Sequence, residues 1–440
     1  MRQGRGHPEP PHLGRGGQEL SGTPAHGHAA DRPLRTVTTT DQVGTRFVAD
    51  ERMPRVWVRS QREPVFCQPA HEIRYLTCYE ARGSRALTRV VVVGAGIVGA
   101  AVAFEAARAG AEVVLLDKSV PASGVTADSF AWIGGPRIGD VPDPSTPLRR
   151  RVLQDYRRLE EEVPGVRVRW RGSLMWGENL PADDAPLGPD ERLLDATEVR
   201  QLEPRLREPP MRALHLRGHG AVDPVAVTQA LVSASKDHGA KLIANSAVTA
   251  LTVRDGRVVG VQASTGPLAA DTVVVTAGVD APMLCAPLGF DLPIAPSPAL
   301  LMRFTGPPGL VRTLVTTPHL EVREATDGHL LVAAGYNGEI SHEDLQRAGE
   351  QMLHRLIATF DAEDVHLVSV RLGTRPMPTD ELPIVGPVPG VDGAYVAVMH
   401  SGITLAPTVG RLVASEIVDT VEAEQLAGLR LTRFHSDTEY

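Results

Sequence analysis

Three glycines, Gly94, Gly96 and Gly99, stand in the order GxGxxG directly after a run of four valines and at the start of AAVAFEAARAG. Strand, glycine turn and helix in that order make a cradle for a diphosphate. Gly94 permits a tight turn, Gly96 lets the main chain approach a pyrophosphate with no Cβ in the way, and Gly99 lets the helix lie close to the sheet. Ala95, Ile97 and Val98 complete the cradle. The helix start carries roughly half a positive charge and unbonded N–H groups, which suit phosphate. Asp117 ends the next apolar run, AEVVLLD, where a carboxylate can accept hydrogen bonds from both hydroxyls of a ribose. It would repel a 2′-phosphate, so NADP is disfavoured even though Lys118 follows it. Ser123, Thr126 and Ser129, within PASGVTADSFAWI, offer hydroxyls to phosphate or ribityl oxygens. These residues define a dinucleotide site without choosing between a nicotinamide and a flavin.

The elements that must position them read as βαβ, with VVVV and AEVVLLD as neighbouring strands and AAVAFEAARAG as the helix between. Downstream, DPVAVTQALVSASKDHG reads as an amphipathic helix, AKLIANSAVTALTV and GRVVGVQAS as strands, and DTVVVTAG as a buried strand. Such alternation favours an α/β fold, a Rossmann-type domain with a parallel sheet. GVRVRWRGSLMWG, ALLMRFTG and GHLLVAAGY are strand candidates for an interleaved antiparallel-sheet substrate domain. The expected division gives residues 87–160, 221–290 and 371–434 to the dinucleotide-binding domain, and 161–220 and 291–370 to the substrate domain. GAYVAVMHSGITLAPTVGRLVASEI closes the fold as a buried strand entering a helix through a Ser-Gly turn. Residues 1–86 show no sustained period of 2 or 3.6 and read as a disordered or loosely packed extension.

Composition narrows the classes. With 45 Lys+Arg against 53 Asp+Glu the net charge is −8, which argues against nucleic acid and a broadly basic membrane-binding face. No apolar run reaches the ~20 residues of a membrane span. The amino terminus does not read as a secretory signal. Cys67, Cys78 and Cys285 match no zinc or CxxC spacing, so no metal site is expected and a reducing cytoplasm is the simplest compartment.

Taken together, VVVVGAGIVGAAVAFEAARAGAEVVLLD, ASGVTADSFAWI, GAVDPVAVTQAL, DTVVVTAG and GTRPMPTDELPIVGPVPGVDGAYVAVMHSGITLAPTVGRLVASEI resemble the D-amino-acid oxidase-like family of FAD oxidoreductases, to which glycine and sarcosine oxidases belong. The resemblance covers about residues 88–434. It implies that Val248 offers backbone groups to adenine and that Thr276, Ala277 and Gly278 form a small-residue crossing near the dinucleotide. It also implies that Gly402, Ile403 and Thr404 point amides at flavin N1 and the C2 carbonyl. Arg375, in TRPMP, matches the arginine that holds a substrate carboxylate, and its planar fork suits that task. His400 precedes the flavin-facing turn and is a candidate for contact with flavin or substrate, a structural histidine being the alternative.

The function so implied is oxidation of the C–N bond of a small amine or amino acid, by hydride transfer to FAD and hydrolysis of the resulting imine. Oxygen or another acceptor would reoxidise the flavin. A dehydrogenase serving a quinone or protein, and a non-catalytic flavin-binding subunit, stay open. So does the oligomeric state. No cysteine adjoins RPMPTD, so the FAD is expected to be noncovalent. Trp170, Trp176, His319, Arg323 and Tyr336 are possible pocket liners and equally possible core or rim residues.

Overall fold

A computed structural model describes residues 87–434 except 178–179 and 339–340, together with the backbone of four short strands nearer the amino terminus. Those four, Val37–Thr40, Arg46–Ala49, Trp57–Arg59 and Pro64–Phe66, pair in sequence order as an antiparallel meander, in a unit separate from residues 86–440. The rest of the 1–86 extension lies outside the described residues, as do Cys67 and Cys78.

The elements used below are β1 (Arg89–Val93), α1 (Ile97–Arg108), β2 (Glu112–Leu116), α2 (Val152–Glu162), α3 (Pro224–Asp237), β3 (Lys241–Ile243) and β4 (Thr272–Val275). They continue with β5 (Ile294–Thr305), β6 (Glu321–Glu324), β7 (Leu330–Gly335), β8 (His366–Pro378), β9 (Ile384–Pro387), β10 (Ala394–Val398) and α4 (Gly402–Ile417).

Six strands form one sheet in the order β3, β2, β1, β4, β10, β9, parallel except for β9. Both faces of this sheet are covered, one by helices and the other by the three-stranded sheet within Val248–Ala269 and the short helix Ala281–Cys285, which is why β1 and β4 are nearly unbroken runs of valine. Val90 to Val92 and Val273 to Val275 are almost fully buried. On one face α1 packs against both α3 and α4. Ala101, Ala103 and Ala106 keep α1 slim, and Gly410 of α4 sits where an added Cβ would lie 2.8 Å from the Ala101 backbone. In α3, the Asp223 carboxylate caps the N–H groups of Val225 and Ala226 at 3.0 Å each, with Pro224 in the first turn.

The second sheet has eight strands, ordered Glu191–Asp195, Arg212–Leu216, Ser173–Met175, Leu314–Thr316, β6, β7, β5, β8. All pairs are antiparallel except Leu314–Thr316 with Ser173–Met175. Its spine is the long pairing of β5 with β8, and β8 runs across the border expected at 370/371. Two three-stranded sheets, one of them Val248–Ala269, complete the strands. Helix α2 and the helix His342–Thr359 stand where the sequence reading places none.

Candidate active site

The glycine turn is held from three sides. Gly94 has φ +105°, and a Cβ on it would come within 2.6 Å of the Thr276 carbonyl. A Cβ on Gly99 would lie 1.8 Å from the Gly94 carbonyl and 2.6 Å from Thr276 Oγ1, so Gly99 is required by the turn itself as well as by helix packing. Thr276 Oγ1 donates to the Val93 or Gly94 carbonyl, at 2.8 and 2.9 Å. Asp117 accepts the Ala95 N–H at 2.7 Å through one carboxylate oxygen and the Ser119 N–H at 2.8 Å through the other. Each oxygen keeps a lone pair for a ribose hydroxyl. Lys118 is committed to Asp280 at 2.5 Å.

At the start of α1 the Ile97 N–H is taken by Thr126 Oγ1 at 3.2 Å. Among the described residues the amides of Gly96, Val98 and Gly99 have no protein acceptor. At the start of α4 the Gly402 N–H turns back onto the His400 carbonyl at 2.9 Å, leaving the amides of Ile403 and Thr404 without one. Of the three amides expected to face a flavin, two are therefore open.

Both helix starts line one cavity of about 920 Å³. That is near the upper end for small-molecule sites and suits an extended ligand. Of the residues singled out in the sequence, Gly94, Gly96, Ile97, Val98, Asp117, Lys118, Ser123, Thr126, Ser129, Val248, Thr276, Ala277, Gly278, Arg375, His400, Gly402, Ile403 and Thr404 line it. Ala95 and Gly99 lie behind the wall, where they shape the turn.

Arg375 comes from β8, paired with Ser297 of β5. Its Nη2 donates to Ser297 Oγ at 2.7 Å, Nε donates to the Ser297 carbonyl at 3.2 Å, and Nη1 meets His400 Nε2 at 3.4 Å. Three of its five N–H donors are used, and two are left for a ligand. His400 is open to the cavity, yet the walls strip away enough water to lower its pKa, and the Arg375 charge lowers it further. A neutral imidazole results, able to accept from Arg375.

The five possible liners fall elsewhere. Arg323 is buried, its Nε on the Phe130 carbonyl at 2.6 Å and its Nη2 on the Val222 carbonyl at 3.1 Å. Trp170 donates to Glu160 at 2.7 Å, Trp176 and His319 line a separate groove, and Tyr336 packs against the core of the second sheet. Among the wall residues that carry no expectation from the sequence are Phe130, Trp132, Ala299, Leu301, Glu321 and Ala333. Cys285 is buried and its thiol is pushed up to about 11, so it stays protonated.

A parallel sheet with a glycine cradle at the carboxyl end of β1, and a second sheet walling the same cavity, define a dinucleotide-binding protein with room for a second ligand. Residues 89–416 match the family of FAD dependent oxidoreductases. The chain belongs to that family, and FAD is its cofactor. An uncharacterized oxidoreductase of Bacillus subtilis, YurR, is 28% identical over 355 residues, covering 74% of this chain and 94% of its own. A glycine oxidase of Pseudomonas aeruginosa is 26% identical, with 74% and 93% covered. The crystal structure of glycine oxidase from Geobacillus kaustophilus superposes with a TM-score of 0.66 at 25% identity, covering 79% of this chain and 99% of that one. Among the described residues no helix is long and apolar enough to cross a membrane.

Proposed function

We propose that this chain oxidises the C–N bond of a small amino acid or amine and holds its FAD noncovalently along the cavity. The observation that carries the reading is the placing of two helix starts with open amides, those of Gly96 and Val98 and those of Ile403 and Thr404, on one cavity that Arg375 also lines. Similarity to glycine oxidases supports an amino-acid substrate.

The amides of Gly96 and Val98 would take the pyrophosphate, Asp117 the ribose, and the strand at Val248 the adenine. Ser123, Ser129 and the crossing at Thr276, Ala277 and Gly278 flank the path between. Bound FAD supplies the two-electron acceptor for a hydride. The amides of Ile403 and Thr404 stabilise negative charge at that end of the cavity by up to ~2 kcal/mol. Arg375 binds the substrate carboxylate through its two free N–H groups, while Ser297 and His400 fix the guanidinium in place. Ala299, Leu301 and Ala333 exclude water from the reacting carbon, and the imine that departs is hydrolysed in solvent.

In this scheme residues 87–160, 221–290 and 371–434 serve FAD and residues 161–220 and 291–370 serve the substrate, with β8 shared between them. A reducing cytoplasm fits the buried Cys285 thiol. The test is the spectrum of the purified protein, followed by anaerobic addition of glycine, sarcosine, D-alanine and L-proline. Flavin absorbance near ~450 nm that one of these bleaches is the expected result. A yellow protein that none of them bleaches would overturn the assignment in favour of a flavin-binding subunit. The speed of recolouring in air then separates an oxidase from a dehydrogenase.

A further inference from the structure

On the face of the antiparallel sheet that walls the cavity, one row across the strands carries a charged residue that the roles above leave unused. Across the strands the directly paired residues are Thr316, Glu321, Ala333, Leu301 and Arg371. Directly paired residues project from the same face of a sheet. Glu321, Ala333 and Leu301 line the cavity, and Arg371 is neutralised by Asp128 at 2.6 Å. Among the described residues the Glu321 carboxylate has no hydrogen bond or ion pair, and the adjacent Thr316 Oγ1 is buried without a partner.

A carboxylate largely withdrawn from water and lacking a counter-charge is unfavourable unless a ligand supplies one. Burial pushes the Glu321 carboxyl up to about 7. Arg323, on the same strand, opposes this only in part, since its guanidinium is turned onto the Phe130 and Val222 carbonyls. The other charged or titratable groups on this cavity are Arg375, His400, Asp128, which Arg371 pairs from outside the lining, and, beside the glycine turn, Asp117 with the Lys118–Asp280 pair.

We propose that Glu321 is the amine-side residue of the chamber: its carboxylate binds the substrate ammonium and accepts the proton that must leave before the C–H bond breaks, while Arg375 holds the carboxylate. The inference rests on the amine-oxidising reading above. In the step, one N–H bond of the ammonium breaks and one O–H bond forms on Glu321. The nitrogen keeps the electron pair. That lone pair becomes the π pair of C=N when the neighbouring hydride departs, which an ammonium, having none, cannot provide. The proton leaves Glu321 for water after the imine is released.

Spacing agrees. Arg371 and Arg375 are four residues apart on β8 and so share a face. Glu321 and Arg375 therefore face one cavity from strands β6 and β8 of the same sheet, with β7 and β5 between them.

The test is Glu321→Gln, with the flavin-reduction rate at limiting substrate measured anaerobically from pH 5.5 to 9.5, using whichever of glycine, sarcosine, D-alanine or L-proline bleaches the wild type fastest. In the wild type the rate rises about tenfold per pH unit up to about 7. In the variant the rate at pH 7 falls at least tenfold and the rising limb moves up toward the pKa of the free amine. A variant that keeps the limb near 7 overturns the proposal. A second readout needs no turnover: acetate, a carboxylate without an amine, is titrated into the holoprotein and followed by the flavin spectrum. Its affinity weakens as pH rises through about 7 in the wild type and loses that step in the variant, the His400 contribution being common to both. Acetate binding that is the same in both proteins at every pH, or absent from both, overturns the proposal. If no amine bleaches the wild type but acetate shows the step, Glu321 stands as the ionisable partner of the chamber and the amine-oxidising reading is the one that fails.

Discussion

Replacing Arg375 with Leu isolates the carboxylate end of the chamber. Ser297 and His400 occupy three of the five N–H donors, so the substrate can take two. Charge-assisted hydrogen bonds contribute about 1.5–3 kcal/mol each, or roughly 3–6 kcal/mol for the pair. At about 1.4 kcal/mol per decade, kcat/KM for an amino acid should fall by about 10² to 10⁴. Because Arg375 is only half-buried, the lower half of that range is expected. The loss should appear as raised KM, with FAD content unchanged, since the glycine turn is untouched. An amine with no carboxylate should lose less than threefold. Arg375→Lys keeps a charge without the fork and should fall between. The His400 pKa should also rise toward its ordinary value once the neighbouring cation is gone, which NMR titration of the imidazole can follow. Stopped-flow flavin reduction gives the kinetic constants. A KM within threefold of wild type in a variant fully loaded with FAD would refute the assignment of Arg375 to the carboxylate.

Gly99→Ala should purify with less than a tenth of the normal FAD, because the new methyl would sit 1.8 Å from the Gly94 carbonyl; Gly335→Ala, where nothing lies within 4 Å, is the control. Tyr156→Phe leaves the buried Ile403 carbonyl without its hydroxyl donor and should cost about 1–3 kcal/mol, seen as a Tm lower by several degrees in thermal unfolding. Burial raises the Glu321 carboxyl from 4.5 to about 7, so the fold binds that proton more tightly than the unfolded chain. The stabilisation is present below about 4.5 and is lost as pH rises through about 7, at most about 3 kcal/mol in all. Apoprotein unfolding curves at pH 5 and pH 8 should therefore differ by more in the wild type than in Glu321→Gln.

The parts of the site legible in the sequence are those set by local geometry. GxGxxG with Asp117 combines steric and hydrogen-bonding requirements within one βαβ unit, and the strand running through a Ser-Gly turn into α4 announces itself by burial and turn chemistry. Glu321 could not be found that way. Its place on the cavity follows from the register of β6 on β7 and β7 on β5, and nothing local sets EVRE apart from any other half-polar strand. Arg323, two residues on, shares its side of the strand but is spent on two carbonyls distant in sequence, those of Phe130 and Val222. Helix α2 was hidden for a related reason. In VLQDYRRLEEE only Val152, Tyr156 and Leu159 form the apolar stripe, and the buried Asp155 counts against a core-facing helix until its partners are known. Those partners, Thr408 and Arg411, lie more than 250 residues away.

That distant contact explains how the flavin end of the cavity is kept in shape. Pro407 has no N–H, so the helical bond that would end on the Ile403 carbonyl cannot form. Tyr156 supplies the missing donor from α2, and Thr408 Oγ1 donates to Asp155 Oδ2 at 2.9 Å one turn further along. Thr404 Oγ1 donates to the Trp132 carbonyl at 2.8 Å on the opposite side. The start of α4 is thus held by side chains of α2 and by the main-chain carbonyl of Trp132. Open amides act on developing charge without reorganisation only when so held. Alpha-helix contacts then tie this end to the other: a Cβ on Gly402 would lie 3.3 Å from Val98 Cγ2, and Gly410 rests on Ala101. The separation between the diphosphate cradle and the charge-stabilising amides is therefore set by the crossing of α1 and α4. Gly410→Ala, which drives those helices apart at 2.8 Å, should weaken FAD binding and slow flavin reduction together, although residue 410 lies outside the cavity lining.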